Sequence, residues 1–492
     1  KDSVAKKIRT EHLSAQAALF LTLQELASAF DKIEDPFFKE RRNDIFDVGK
    51  RLVNNLEGGK REFLASINKP SLLVAHNLYP SDTINLQENQ VIGFCTDVGG
   101  KTSHTALLAQ SLNLPAVVGL STASKDVKSG DTLIIDGENG LLVINPDHYT
   151  LANYRKNQRE IKKTDALLKT INHLPVITQD GRGVKLYVNY DPRTDNKDNK
   201  RLITDGLGLL RTEFLYMDTP TPPTEDDQYR MYLAVLKRFD MRPTAIRLAD
   251  LGADKMPDFP LDEFDKDANP FMGCRGIRLF LKNPDLLYTQ LRAIVRTACE
   301  VPAQVKIMIP MVSAVEEVRH VRTAFNEVLK EFEAKGKKPL NRVALGAMIE
   351  VPAAAIALDG MIGELDFISI GTNDLIQYLI AVDRVNQEVA HMYDPCHPAV
   401  ARTINQIIQT AHKRNKRVCI CGEIAADSRM LPLLLGLGVD ALSVTPRMYL
   451  RVKNNIRNLN FENCSDLAQA ALLMGSSAEI RQLIDNNKNE DS

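Results

Sequence analysis

The sequence predicts an α/β protein in which a partial helical segment and a small α/β domain precede a (β/α)8 TIM-type barrel. Three observations carry that reading. Between residues 66 and 150, short β-rich runs are separated by Gly, Asp, Asn and Pro. From about residue 181 onward, apolar runs alternate with amphipathic stretches eight times. The 492 residues also exceed the roughly 150 of an ordinary single core. The composition, 44% hydrophobic and 25% charged, is that of globular domains and excludes disorder, collagen and a disulfide scaffold. Lys and Arg number 62 against 63 Asp and Glu, a net charge of −1. Bulk attraction to nucleic acid or an anionic membrane is therefore not expected, and any anion site must come from locally clustered Arg.

Residues 1–65 read as helical. Leu19, Leu23, Leu26 and Phe30 keep helical spacing while Gln24 and Glu25 interrupt the apolar run, which favours an amphipathic helix over a signal peptide. Ile45, Val48, Leu52 and Leu56 form a second stripe that Gly58-Gly59 closes. No apolar stretch reaches the ~20 residues of a membrane-spanning helix, so no membrane insertion is expected. Seven cysteines, an odd number without framework spacing, fit reduced thiols in a cytoplasmic protein. The chain opens on Lys1 and not on Met, so further sequence upstream is expected.

The α/β domain, 66–150, contains strand candidates at 71–75, 91–94, 116–118, 132–135 and 141–144. A linker, 151–180, follows; its 151–169 portion is charged, free of Gly and Pro, and helical in pattern. The barrel, 181–475, takes strands at 184–189, 206–211, 245–250, 305–311, 344–350, 367–374, 418–423 and 441–444. Helices such as 314–330 and 399–413 lie between them. Residues 476–492 read as a tail. A doubly wound open sheet is the alternative, but no Gly-x-Gly-x-x-Gly opens its first helix.

Polar residues then fall at the ends of the barrel strands, where such barrels carry their active-site loops. Arg211, Arg247, Asp250, Glu350, Asn373-Asp374 and Cys421-Gly422-Glu423 all take such positions. The arginine set, Arg211, Arg247, Arg275, Arg278 and Arg384 with Lys255, suits a small and highly anionic ligand, because guanidinium forks match carboxylate and phosphate bidentately. Arg278, one turn from Arg275, reads as structural. Glu350 and Asp374 have no His or Cys beside them in sequence. They suit either a hard cation such as Mg2+, which takes one or two carboxylates plus substrate oxygens, or a carboxylate pair answering the arginines. Cys421 is either an inert buried thiol or a proton donor at a strand end; its Cys-x-Cys spacing from Cys419 fits neither zinc nor thioredoxin-type chemistry. In the smaller domain, Gly99-Gly100-Lys101-Thr102-Ser103-His104-Thr105 leads into an apolar helix. Its amides and helix N-terminus suit an anion, with His104 as a nucleophile; the plain reading is a helix cap beside a surface histidine.

These motifs together resemble a known family. Gly-Gly-Lys-Thr-Ser-His-Thr-Ala with Leu114-Pro115-Ala116-Val117-Val118-Gly119 is similar to the phosphohistidine signature of phosphoenolpyruvate-using phosphotransferases. Gly206 to Phe214, Asn269-Pro270-Phe271 with Gly273-Cys274-Arg275, Phe367 to Leu375, Ala381 to Arg384 and Cys421-Gly422-Glu423 resemble Enzyme I of the bacterial phosphotransferase system, over residues 40–475. The resemblance implies a swivelling phosphohistidine domain and autophosphorylation of His104, through Nε2, by phosphoenolpyruvate. It further implies phosphoryl transfer to a histidine-containing phosphocarrier protein and release of pyruvate. On the same resemblance, Arg211, Arg247 and Arg384 hold phosphoenolpyruvate, assisted by Arg275, Asn373 and Asp374. Glu350 and Asp374 ligate Mg2+, Cys421 protonates the enolate, and the protein is a homodimer through the barrel. The family starts with a Gly-rich strand segment and a longer helical subdomain that docks the phosphocarrier; this chain begins within that helical part, so the docking surface is expected to be incomplete. Lys101 stands where Arg is usual, Cys274 where Trp is usual, and Ala253 replaces a glycine. The alternatives are an enzyme like pyruvate phosphate dikinase or phosphoenolpyruvate synthase, which needs an ATP-binding domain and loop that are not seen here, and a non-catalytic phosphoenolpyruvate-binding regulator.

Overall fold

The computed structural model describes residues 2–31, 49, 52, 67, 69–78, 90–99, 109, 114–194, 202–217, 219–252, 255, 259, 269–384, 386 and 388–490. The chain divides into two compact units, Lys1–Lys162 and Lys163–Ser492, and the division falls inside one helix, His148–Thr170. That helix covers much of the segment expected as a linker. Ile45, Val48, Leu56 and Gly58-Gly59 lie outside the described residues.

The first unit begins with two helices, Asp2–Glu11 and Ala15–Asp31, where the apolar spacing suggested one. His12 takes a left-handed φ of 52°, and the Ser14 hydroxyl accepts the Ala17 amide at 3.2 Å, so the chain stops and is recapped. Strands β1 (Ser71–Ala75), β2 (Val91–Thr96) and β3 (Ala116–Val117) form a parallel sheet in that order. Parallel strands need crossovers, and buried Phe94 and Ala109 with Leu78 supply an apolar centre for this unit. Strands β4 (Leu133–Asp136) and β5 (Leu141–Ile144) pair as an antiparallel hairpin whose turn is tied by Asp136, which accepts the amides of Glu138 and Asn139.

The second unit is a closed barrel of eight parallel strands. They are β6 (Lys185–Tyr190), β7 (Leu207–Leu210), β8 (Thr244–Arg247), β9 (Val305–Ile309), β10 (Ala344–Ile349), β11 (Phe367–Ile370), β12 (Val418–Ile420) and β13 (Ala441–Val444). Each pairs with its neighbour in sequence, and β13 closes on β6. Leu209, Ala245, Met308, Met348 and Cys421 pack inside the ring, against Phe367. The larger core lies between strands and helices, as in barrels of this type.

Six of the eight barrel-strand readings ran past the real ends, three of them by three residues or more. β8 stops at Arg247, β11 at Ile370 and β12 at Ile420. Asn373 and Asp374 therefore sit in the first turn of a helix, Thr372–Leu379, and not on a strand. Polar residues just beyond an apolar run continue it in sequence, whereas the strand ends where the ladder hydrogen bonds end. The segment read as a tail, 476–492, is corrected more fully. Ser477–Glu490 is a helix, and Ile480 and Ile484, one turn apart, are buried in the barrel core.

Candidate active site at the barrel mouth

The arginines and carboxylates converge beyond the C-terminal ends of β7, β8, β10 and β11. Arg247, the last residue of β8, donates through Nε and Nη2 to Glu213 Oε1 at 3.2 and 2.8 Å, and its Nη1 lies 3.7 Å from Asp250 Oδ2. Asp250, fully buried, accepts from Arg275 Nε and Nη2 at 3.2 and 2.8 Å and from Lys255 Nζ at 3.3 Å. Its amide donates to Glu213 Oε1 at 2.9 Å. Arg275 also reaches Tyr378 Oη at 3.1 Å and lies 3.5 Å from Asp374 Oδ1. Three buried charges of one sign are thus interleaved with two of the other, which is what makes burial of so many charges tolerable.

The electrostatics follow. Burial alone would weaken the Asp250 carboxylate, but Lys255, Arg275 and Arg247 outweigh it and hold its pKa far below the ordinary range. Burial would likewise favour proton loss from Arg247, and Glu213, Asp250 and Glu350 reverse that. Glu350 goes the other way. Burial and the neighbouring Asp374 and Asp250 push it up to about 8, although Arg247 and the Met311 amide, 2.7 Å from Oε1, oppose the shift.

Glu350 and Asp374 are brought together by Gly371. A Cβ there would lie 2.5 Å from Glu350 Oε2, so only glycine lets the end of β11 pass so close to the end of β10. Asp374 Oδ1 is buried with no hydrogen-bond partner, and Arg384 Nη2 approaches it only to 3.9 Å. A buried carboxylate oxygen without a donor, beside a second carboxylate that its neighbours penalise for ionising, fits a hard divalent cation with oxygen ligands. Among the described residues no third His, Cys, Asp or Glu joins them.

Cys421 follows β12 directly and lies in the barrel interior. Its amide donates to Ile370 O at 3.1 Å, its thiol lies 3.5 Å from the same carbonyl, and burial pushes the thiol up to about 11, so it stays protonated at neutral pH.

Two family models match. One described as "PEP-utilising enzyme, PEP-binding domain" covers residues 165–461, and one described as "PEP-utilising enzyme, mobile domain" covers 67–140. Phosphoenolpyruvate-protein phosphotransferase of Geobacillus stearothermophilus is 38% identical over 97% of this chain and 82% of its own length. That of Haemophilus influenzae is 38% identical over 99% and 84%, and that of Bacillus subtilis 36% identical over 97% and 83%. The chain belongs to the phosphoenolpyruvate–protein phosphotransferase family. The resemblance read from ordered motifs is borne out across nearly the whole chain, and the dikinase-like alternative is not supported.

Within this phosphotransferase-family chain the expected residues are distributed unevenly. Arg247, Arg275, Glu350, Asp374 and Arg384 share one cluster through the contacts above. Arg211 is exposed just after β7, and among the described residues its guanidinium makes no hydrogen bond or ion pair. The Asn373 side chain is engaged with Glu423, donating to Oε1 at 3.1 Å and accepting the Glu423 amide at 2.8 Å. Arg278 donates to the carbonyls of Met272 and Gly273 and braces that loop. His104 lies outside the described residues, as do Lys101, Ala253 and Asp254. Seven residues before His104 in sequence, buried Asp97 accepts the Ser124 hydroxyl and amide and His76 Nδ1, fixing the end of β2.

Sequence reasoning missed Glu213, Tyr378, Asn189 and Gln290. Tyr378 stands four residues after Asp374 on one helix face, a spacing that signals it, whereas Glu213 answers Arg247 from 34 residues away and its local spacing does not mark it. Gln290, buried on helix Pro284–Glu300, donates to Thr212 Oγ1 and Tyr232 Oη and accepts the Ala249 amide, and nothing in its local sequence marks it.

Proposed function

We propose that the chain takes the phosphoryl group of phosphoenolpyruvate onto His104, passes it to a histidine-containing phosphocarrier protein, and releases pyruvate. Support comes chiefly from the cationic groups gathered at one barrel mouth, Arg247, Arg275, Lys255 and Arg384, around the Glu350 and Asp374 pair. Arg211, with no internal ion pair among the described residues, is free to meet an incoming phosphate or carboxylate, and Arg247 and Arg384 share that role. Arg275 and Asn373 orient their neighbours.

Glu350 and Asp374 would hold Mg2+. Bound there, the cation would neutralise charge on the transferring phosphoryl group, where most catalysis of such transfers lies. The imidazole of His104 attacks phosphorus as the ester P–O bond breaks. The thiol of Cys421, still carrying its proton, then protonates the enolate carbon. By sequence His104 belongs to the first unit and the arginines to the second, so turnover requires the two to meet, a hinge-type demand. We place the reaction in the cytoplasm, where seven free thiols remain reduced, and read the working form as a homodimer through the barrel. No described helix is long and apolar enough to cross a membrane.

The deciding experiment uses phosphoenolpyruvate labelled on phosphorus, with Mg2+. Acid-labile, base-stable label is expected on the wild type and none on His104→Ala. A wild type that binds phosphoenolpyruvate yet takes no label would leave a regulator in its place.

A further inference from the structure

Asn189, the penultimate residue of β6, spends its whole amide on two other strands. Its Nδ2 donates to both Cys421 O and Ser443 O at 3.0 Å, and its Oδ1 accepts the Ser443 hydroxyl at 2.7 Å. The pairing of β12 with β13 covers Cys419 with Ala441 and Ile420 with Leu442 and goes no further. The Cys421 carbonyl therefore lies past the ladder, and the Asn189 side chain supplies its donor from the next strand but one in the ring. On the other side the Cys421 amide is held by Ile370 O at 3.1 Å. Ser443 can turn inward to orient the amide because residue 208 is glycine, where a Cβ would sit 2.3 Å from the Ser443 hydroxyl.

We propose that Asn189 is a positioning residue for the Cys421 thiol, fixing the peptide from which it projects so that the proton reaches one face of the enolate. The inference rests on the reading of Cys421 as proton donor. In that step the thiol S–H bond breaks, the enolate electron pair forms the new C–H bond at C3 of pyruvate, and the thiolate left behind is reprotonated by water. Without Asn189 the Ile420–Cys421 peptide keeps its Ile370 contact, but the Cys421–Gly422 peptide loses its anchor and Cys421 is held from one side only. A displacement of about 1 Å is enough to cost on the order of 100-fold in a positioned proton transfer.

The test follows the stereochemistry of pyruvate. The full-length protein turns over 3-deuterated phosphoenolpyruvate of a single geometry in tritiated water, which yields a chiral methyl group when protonation is one-sided. Wild type is expected to give one hand. Asn189→Ala and Ser443→Ala are each expected to release pyruvate about 10- to 100-fold more slowly, with a racemised methyl group. Their KM for phosphoenolpyruvate and their extent of His104 labelling should stay near wild type. A general loosening of the barrel would instead raise KM while keeping the methyl group one-handed, and that outcome overturns the proposal. So does wild-type rate and stereochemistry in both variants. Cys421→Ala is the control: if it still gives one-handed pyruvate, another group is the acid, and the premise about Cys421 fails separately from anything measured on Asn189.

Discussion

Arg211 and Arg275 have the same side chain near the same barrel mouth and opposite surroundings. Arg275 is almost wholly buried and answers Asp250, so Arg275→Ala leaves that buried carboxylate with only Lys255 and Arg247 to answer it. That change should destabilise the barrel by about 2–3 kcal/mol, below the roughly 3–5 kcal/mol lost when a buried charge keeps no partner at all. Arg211→Ala touches no ion pair among the described residues. It should leave the unfolding free energy within about 0.5 kcal/mol of wild type while raising the KM for phosphoenolpyruvate at least tenfold. Urea titration and steady-state kinetics on the two variants check the contrast, and equal loss of stability in both would refute it. The sequence marks both arginines, because charge after an apolar strand is conspicuous. It does not say which is spoken for, since Asp250 stands 25 residues from Arg275 and only the folded ring brings them together.

Elements act here through their ends. Asp97, one residue past β2, ties the ends of β1 and β2 to helix Ala123–Asp126 and launches the segment that carries His104. Hydrogen bonds from the Ser124 hydroxyl and amide, and then from His76, depress its pKa to about 2. An unfolded Asp titrates near 3.9, so the native state gives up this proton more readily. The resulting stability is present in full above about pH 4 and declines as pH falls toward 2. Hydrogen exchange of the β1 and β2 amides should therefore be faster in Asp97→Asn than in wild type at pH 6, with the gap closing as pH approaches 2. A gap that stays constant with pH would remove the carboxylate from this role. The strands themselves were readable from apolar runs and their punctuation, and all eight barrel strands fall where those runs do. Their ends were not. Asp374 looked like a strand terminus because Gly371 is followed by polar residues either way. Its place in a helical first turn follows from Gly371 passing Glu350, a contact between segments 21 residues apart. Asn189 and Cys421 show the same limit at greater range, 232 residues.

At the scale of the whole second unit, the barrel is sealed by joining its first strand to its last, and the segments outside that seam hold it shut. Before β6, Asp180 accepts the amides of Phe461 and Glu462, the Gln179 amide donates to Leu459 O, and Pro175 O accepts from Arg457. The final helix, Ser477–Glu490, then packs Ile480 and Ile484 into the common core, while Arg481 pairs with Asp394 at the surface. Its Asn, Lys and Asp-rich close resembles a tail, and only the one-turn spacing of two isoleucines hints otherwise. Because closure distributes load around the ring, weakening this helix should lower the stability of the entire unit. Ile480→Ala and Ile484→Ala are each expected to cost about 2–5 kcal/mol in urea unfolding, with a single transition shifted as a whole. Arg481→Ala, which removes a half-exposed ion pair, should cost under about 1 kcal/mol. If the isoleucine variants instead showed a small early transition with the main one unmoved, the helix would be an appendage, and the seam between β13 and β6 would be stable without it.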